Sequence, residues 1–284
     1  MRTPCIFLIS ARNDLLKECL FNLDKNYNKV HNYPTLIFYH GNRYDDKNYR
    51  ESIESINPDT EYRFHSIEAK IPEHLNEVDM FWNVSNPYAR NFGRGRIGYL
   101  HANYFWNNFM NYPELDEFDY LMRIDDDSWF KKEIPFDFFE ELDKQNGYFG
   151  TGFTWNHFHP NHLDTRQDLF RWIKYYVDKY NVDVKNKQLK ESLDGPEDNE
   201  MFHTLKWNCG NSNVYNRKMF ETDEWKVYLK EFNELAGGYR YRWGDCEVIG
   251  LYSYMYFDNP LIDFNIREQG LYEPQLPNTT FVRG

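Results

Sequence analysis

The chain has 284 residues, 41% of them hydrophobic and 27% charged, which allows a sizeable core and excludes wholesale disorder. Its formal net charge of −12 argues against a nucleic-acid partner. No apolar run reaches the ~20 residues a bilayer span needs and no signal-peptide pattern opens the chain, so it reads as soluble, without a membrane span.

In chain order, Cys5–Ile9 is a short apolar run that predicts a buried strand, and residues 12–24 follow with Leu15, Leu16, Cys19, Leu20 and Leu23 at helical spacing. A second strand is expected over Thr35–Tyr39, a helix over 46–55 and a third strand over Tyr62–Ile67. This alternation predicts a parallel sheet with covering helices. Residues 70–93 read as an ordered loop, 97–110 as a helix, and Tyr120–Ile124 as a strand running into Asp125-Asp126-Asp127. A helix over 136–144, a strand near 147–154, a polar and partly helical stretch over 155–203, and helices over 216–234 and 245–256 complete the pattern. No repeat or linker interrupts it, so one compact domain is expected. Cys5, Cys19, Cys209 and Cys246 show no metal-finger spacing and read as reduced thiols. His157, His159 and His203 fit no defensible zinc spacing and read as surface residues. Asn83-Val84-Ser85 and Asn278-Thr279-Thr280 are glycosylation sequons only if the chain enters a secretory compartment.

The three adjacent aspartates carry the clearest chemistry. Ligands of open α/β sheets bind beyond the carboxyl ends of strands, and adjacent carboxylates repel one another until a cation relieves them. Mg²⁺ and Mn²⁺ take oxygen ligands and bridge one or two carboxylates to substrate phosphates. If the backbone stays extended, Asp125 and Asp127 share one side and Asp126 takes the other. Arg123, in the same strand, is a partner for an aspartate or a phosphate. A second cluster is Arg242-Trp243-Gly244-Asp245 with Glu247. There Trp243 offers a face for a sugar, and Asp245 either binds hydroxyls, acts as a base or caps a helix.

Four segments resemble the fungal Golgi α-1,2-mannosyltransferases, glycosyltransferase family 15. They are the opening strand with Ala11-Arg12-Asn13, the stretch from Gly98-Tyr99-Leu100-His101 to FDYLMRIDDDSWF, WNCGNSNVYNRKMF at 207–220, and AGGYRYRWGDCEV at 236–248 followed by REQGLYEP. The resemblance implies a GT-A fold: an α/β, Rossmann-like mixed sheet with helices on both faces. It spans 1–284 as a single domain, with 1–128 as the nucleotide-sugar half and 129–284 as the acceptor half. It further implies transfer of mannose from GDP-mannose to an oligosaccharide or glycan acceptor, with retention and with Mn²⁺ (or Mg²⁺).

Residue by residue, the resemblance places metal ligands at Asp125, Asp127 and Glu273, the last where the family has histidine. Tyr99 matches the family's active-site tyrosine, and Asn213 falls where the family carries its proposed nucleophilic glutamate. Arg12 is expected at the nucleotide or diphosphate, His101 near the donor phosphates, Asn211 and Asn213 at sugar hydroxyls, and Arg242, Trp243, Asp245 and Glu247 at the acceptor or donor sugar. An amide at Asn213 cannot form a glycosyl ester, whereas a front-face transfer guided by the leaving phosphate needs no carboxylate there. Three rival readings stand beside this one: an inverting enzyme using a UDP-sugar with Asp245 as base, a non-catalytic glycan-binding protein on the same fold, and a metal-dependent phosphohydrolase, for which the sequence shows only one ligand cluster. The cellular setting expected is cytoplasmic or virus-encoded, or the Golgi lumen if an anchor precedes the chain.

Overall fold

A computed structural model of the chain describes residues 2–10, 13–41, 44–68, 71–75, 96–155, 163–196, 202, 204–208, 211–241 and 243–277. The opening β-α-β-α-β unit appears where the hydrophobic pattern puts it: β1 (Pro4–Ser10), α1 (Asn13–Asn26), β2 (Thr35–His40), α2 (Lys47–Glu54) and β3 (Tyr62–Ile67). Then come α3 (Arg96–Asn108), β4 (Tyr120–Ile124), β5 (Trp129–Phe130), α4 (Phe138–Lys144), β6 (Phe149–Thr151) and β7 (Thr154–Trp155). The chain continues through α5 (Leu163–Tyr180), α6 (Lys187–Leu193), β8 (Trp207–Asn208) and β9 (Ser212–Asn216). It finishes with α7 (Asp223–Leu235), α8 (Gly237–Arg240), α9 (Asp245–Tyr256), β10 (Ile262–Asp263) and β11 (Tyr272–Glu273).

Seven strands form one sheet in the order β10-β6-β9-β4-β1-β2-β3. β4, β1, β2 and β3 run parallel, as do β6 and β10, while β9 lies antiparallel between β4 and β6. The sheet is therefore mixed. The inserted β9 was not expected from the sequence, because Ser212-Asn213-Val214-Tyr215-Asn216 carries polar residues at positions that the fold buries.

β1 and β2 are apolar on both faces because helices cover both of their faces. Ile6 and Leu8 of β1 pack with Leu16, Leu20 and Phe138, on the side of α1 and α4. Cys5, Phe7 and Ile9 point the other way, into a cluster with Phe105, Trp106, Trp172, Phe232 and Trp243, on the side of α3, α5, α7 and α9. The same period of two directs Leu121 and Arg123 of β4 toward this second cluster.

Other expectations are refined. The helix expected over 216–234 is a short 3₁₀ turn, Arg217–Phe220, followed by α7, whose start is fixed by the Thr222 hydroxyl accepting from the Trp225 amide. The strand near 147–154 shortens to β6, and its tail crosses to pair β7 with β8. Cys5 and Cys19 are buried free thiols. Among the described residues, no helix is long and apolar enough to cross a membrane. His157, His159, His203, Cys209, both sequons and most of the loop expected over 70–93 lie outside the described residues.

Candidate active site

The acidic tripeptide sits at the carboxyl end of β4, beside the carboxyl ends of β1, β2 and β3. The extended alternation expected there does not hold. Asp126 and Asp127 form a turn that the Ser128 amide closes by donating to the Asp125 carbonyl at 3.0 Å. The Ser128 hydroxyl fixes the turn from below, sharing a 2.9 Å hydrogen bond with the Tyr272 hydroxyl and donating to the Asn211 carbonyl at 3.2 Å. Asp126 and Asp127 are buried, and Asp125 keeps 24% of its side chain exposed. Cys19 of α1 lies beneath: burial first, then the charges of Asp126, Asp127 and Asp125, push its thiol pKa well above the ordinary value.

Both oxygens of Asp125 have donors. Asn211 Nδ2 donates to Oδ2 at 2.7 Å, and Arg123 Nη2 donates to Oδ1 at 3.1 Å. The antiparallel register of β4 and β9 creates the first contact, because the Ile124–Ser212 pair leaves Asn211 facing Asp125 as the strands end. The pairing of β5 with β11 brings Glu273 opposite Trp129, alongside the turn. Its carboxylate meets Lys131 at 3.5 Å and Arg267 at 3.6 Å. Among the described residues, no group of three or more His, Cys, Asp and Glu is gathered tightly enough to hold a metal by itself. The all-oxygen donors of the turn suit a hard cation that takes one or two protein carboxylates and completes its shell with water and a diphosphate. They do not suit an all-protein cage.

Behind Asp125, Arg123 is buried with its guanidinium 3.9 Å over the ring of Trp106. Its Nη1 donates to the carboxylate of Asp245, which is also buried. Burial pushes the Asp245 carboxyl up to about 6, with Arg123 opposing and Asp125 and Glu247 adding to the rise. Burial also works against the Arg123 charge, but Asp245 and Asp125 outweigh it and keep the guanidinium protonated. Asp245 is not the helix cap expected of it. Gly244 is the N-cap of α9, and Glu247 reaches back to accept the Gly244 amide at 3.0 Å.

The expectation that Trp243 offers a face to a sugar is corrected. It is 2% exposed, with its ring stacked against Trp172 at 5.5 Å and Tyr241 at 4.7 Å. The glycine of the AGG segment explains the packing: a Cβ on Gly237 would fall 2.4 Å from Trp243 Cε3. Asn107 Nδ2 holds the Trp243 carbonyl at 3.3 Å and ties this segment to α3.

Asn213 is fully buried opposite Arg123. Its Nδ2 donates to the Tyr215 hydroxyl at 3.0 Å, and its Oδ1 has no hydrogen-bond partner. His101 Nδ1 lies 2.9 Å from the Tyr239 hydroxyl, and its ring is 6.2 Å from that of His40 at the end of β2. Burial, then His40, lowers the His101 pKa. Arg12 and Arg242 lie outside the described residues, and Tyr99 is placed only by its backbone in α3. The fold thus brings together Asp125, Asp127, Asn211, Asn213 and Asp245, with Glu273 at the edge. His40, Trp106, Ser128, Tyr239 and Tyr272 were not singled out from the sequence. Ser128 inside FDYLMRIDDDSWF, Tyr239 inside AGGYRYRWGD and Tyr272 inside REQGLYEP lay in segments that could have pointed to them.

Among solved structures, the fold is similar to that of the mannosyltransferase Ktr4p from S. cerevisiae, at 18% identity over 93% of this chain and 68% of that one, with a TM-score of 0.74. The same yeast protein in complex with GDP aligns at 19% identity over 91% of this chain and 68% of that one, TM-score 0.74. Core-mannan synthase A from Aspergillus fumigatus, in its Mn/GDP form, aligns at 15% identity over 93% of this chain and 73% of that one, TM-score 0.74. No curated protein matches the chain by sequence. The family described as glycolipid 2-alpha-mannosyltransferase matches residues 2–278. With that match over nearly its whole length, the chain belongs to the glycolipid 2-α-mannosyltransferase family and is a glycosyltransferase of the α-mannosyltransferase type.

Proposed function

We propose that this enzyme transfers mannose from GDP-mannose to a hydroxyl of a glycan acceptor, with retention of the anomeric configuration and with the help of Mn²⁺ or Mg²⁺. The observation that carries the reading is Asp125, the partly exposed carboxylate at the carboxyl end of β4, steered by Asn211 and Arg123. The GDP and Mn/GDP forms of the structural relatives support the choice of nucleotide and cation. The first half of the chain, 1–128, takes the nucleotide-sugar in this reading, and 129–284 shapes the acceptor side.

Asp125 and Asp127 would hold the cation, with Glu273 joining only by exchanging its pairs with Lys131 and Arg267. When bound, a divalent cation supplies charge neutralisation on the leaving diphosphate. Arg12, Tyr99 and His101 are assigned to the nucleotide and its phosphates. Asn211, at the rim beside Asp125, orients a sugar hydroxyl, and Arg242 is assigned to the acceptor by the sequence resemblance alone. Bond making and breaking share one face of the sugar: the acceptor oxygen joins the anomeric carbon, the bond from that carbon to the phosphate oxygen breaks, and the acceptor proton passes to the departing phosphate oxygen. Asn213 cannot form a glycosyl ester, and the Asp245 carboxylate is engaged by Arg123, so neither residue supports a covalent or base-driven alternative.

The test is transfer from a panel of GDP- and UDP-sugars to mannosides with and without Mn²⁺, reading the product anomer by NMR. Transfer from GDP-mannose giving an α-mannoside, lost in Asp125→Ala/Asp127→Ala, is the expected result. Transfer from UDP-sugars alone, or a β-linked product, would overturn the reading.

A further inference from the structure

We infer that the buried Arg123–Asp245 couple is a positioning device that keeps Asp125 available to a divalent cation, and that Asp245 serves as the counter-ion of Arg123 instead of contacting substrate. The inference rests on the cation reading given above for Asp125.

The geometry points this way in three respects. First, the guanidinium fork faces two carboxylates that are 120 residues apart in sequence, Asp125 after β4 and Asp245 at the start of α9. One arm reaches each of them, and Trp106 covers the guanidinium plane at 3.9 Å, so the fork has little freedom to turn. Second, the two contacts differ in exposure. Asp245 is sealed in with Arg123 at 6% and 5% side-chain exposure, while Asp125 retains 24%. The buried partner balances the guanidinium charge, and the exposed one keeps a charge to offer outward. Third, Asp245 is the first residue of α9, where the helix dipole and the Glu247-capped turn hold a carboxylate in place.

The charge count gives the prediction its sign. Arg123, Asp125 and Asp245 together carry one net negative charge, which falls to zero when Asp245 is made neutral. Arg123 then turns its whole charge on Asp125 and competes with a cation. A residue that contacts substrate would instead leave cation binding alone and alter turnover.

The experiment measures Mn²⁺ binding in the presence of GDP by calorimetry and by Mn²⁺ EPR. It compares the full chain with Asp245→Asn, Arg123→Lys and Asp125→Ala, checking folding by circular dichroism and Tm. Asp245→Asn is expected to weaken Mn²⁺ by about 10–100-fold, the usual cost of disturbing a group that orients a metal ligand. Arg123→Lys keeps the charge and one ion pair, so it holds the fold even if Asp245→Asn does not. It should weaken Mn²⁺ several-fold, because an ammonium cannot span both carboxylates. A folded Arg123→Lys that binds Mn²⁺ like the parent overturns the inference. So does a folded Asp245→Asn with unchanged Mn²⁺ binding and KM but a collapsed kcat. If the parent's Mn²⁺ binding does not depend on Asp125, the cation reading itself fails and the inference falls with it.

Discussion

Gly237 marks how closely single atoms constrain this site. An added Cβ would meet Trp243 Cε3 at 2.4 Å and Phe232 Cε2 at 2.7 Å, both ring atoms in a closed aromatic stack. Gly238, its neighbour, would place a Cβ no closer than 3.5 Å to any atom, which is ordinary contact. Gly237→Ala should therefore cost about 1–3 kcal/mol of overpacking, while Gly238→Ala costs little. Chemical denaturation of the two variants side by side checks this, and equal losses would refute the packing argument. His101 makes a second prediction at this scale. It faces the Tyr239 hydroxyl and His40, and burial first, then His40, sets its folded pKa below the ordinary 6.5. A depressed histidine pKa means the unfolded chain takes up the proton first. Its stability contribution is thus complete above about pH 6.5 and declines as the pH falls through that value. His101→Gln should flatten the loss of unfolding free energy between about pH 7.5 and 5.5 relative to the parent, and an unchanged slope would count against it.

At the scale of elements, α9 begins where three contacts converge: Glu247 on the Gly244 amide, Asn107 on the Trp243 carbonyl, and Arg123 on Asp245. Removing the first by Glu247→Ala should cost about 1 kcal/mol, while Glu247→Gln, which keeps an accepting oxygen, should cost less. The helix was legible in the sequence but its cap was not. Asp245 is a good cap by residue type, yet burial against Arg123 claims its carboxylate, and the glycine before it takes the cap position. β1, β2 and β4 could be read because helices cover both of their faces, which forces nearly continuous apolar runs. β9 could not be read this way. It lies inside the sheet, but its Ser212 and Asn213 are buried beside Arg123, so polar side chains stand where a central strand would otherwise carry its hydrophobic signal. The same tension explains Trp243. Its residue type suggested a sugar platform, and only the partners on both sides of its ring reveal a core residue.

For the whole molecule, the order β3-β2-β1-β4 gathers four parallel carboxyl ends on one edge, and the acidic turn sits there in a chain of net charge −12. An anionic diphosphate would be repelled from such an edge unless a cation arrived with it. Cys19 lies beneath the same turn, where burial first and then the three aspartates push its thiol above the ordinary value. Ligand binding should therefore be linked between GDP and metal. With GDP and Mn²⁺ together at about 100 times Kd, linkage adds about 2.7 kcal/mol to the unfolding free energy, a rise of roughly 5 °C in Tm. GDP alone should shift Tm by much less. In Asp125→Ala/Asp127→Ala the metal-dependent part should vanish, while the ligand-free Tm falls modestly, because Asn211 and the buried Arg123 lose a carboxylate partner. Differential scanning fluorimetry of the parent and the double variant, each ligand-free, with GDP, and with GDP plus Mn²⁺, reads all of this at once. A ligand-free Tm that collapses in the double variant would mean the aspartates hold the turn together, and the shift would then have to be re-examined in the single variants. An equal shift from GDP with and without Mn²⁺ would remove the cation from the site altogether.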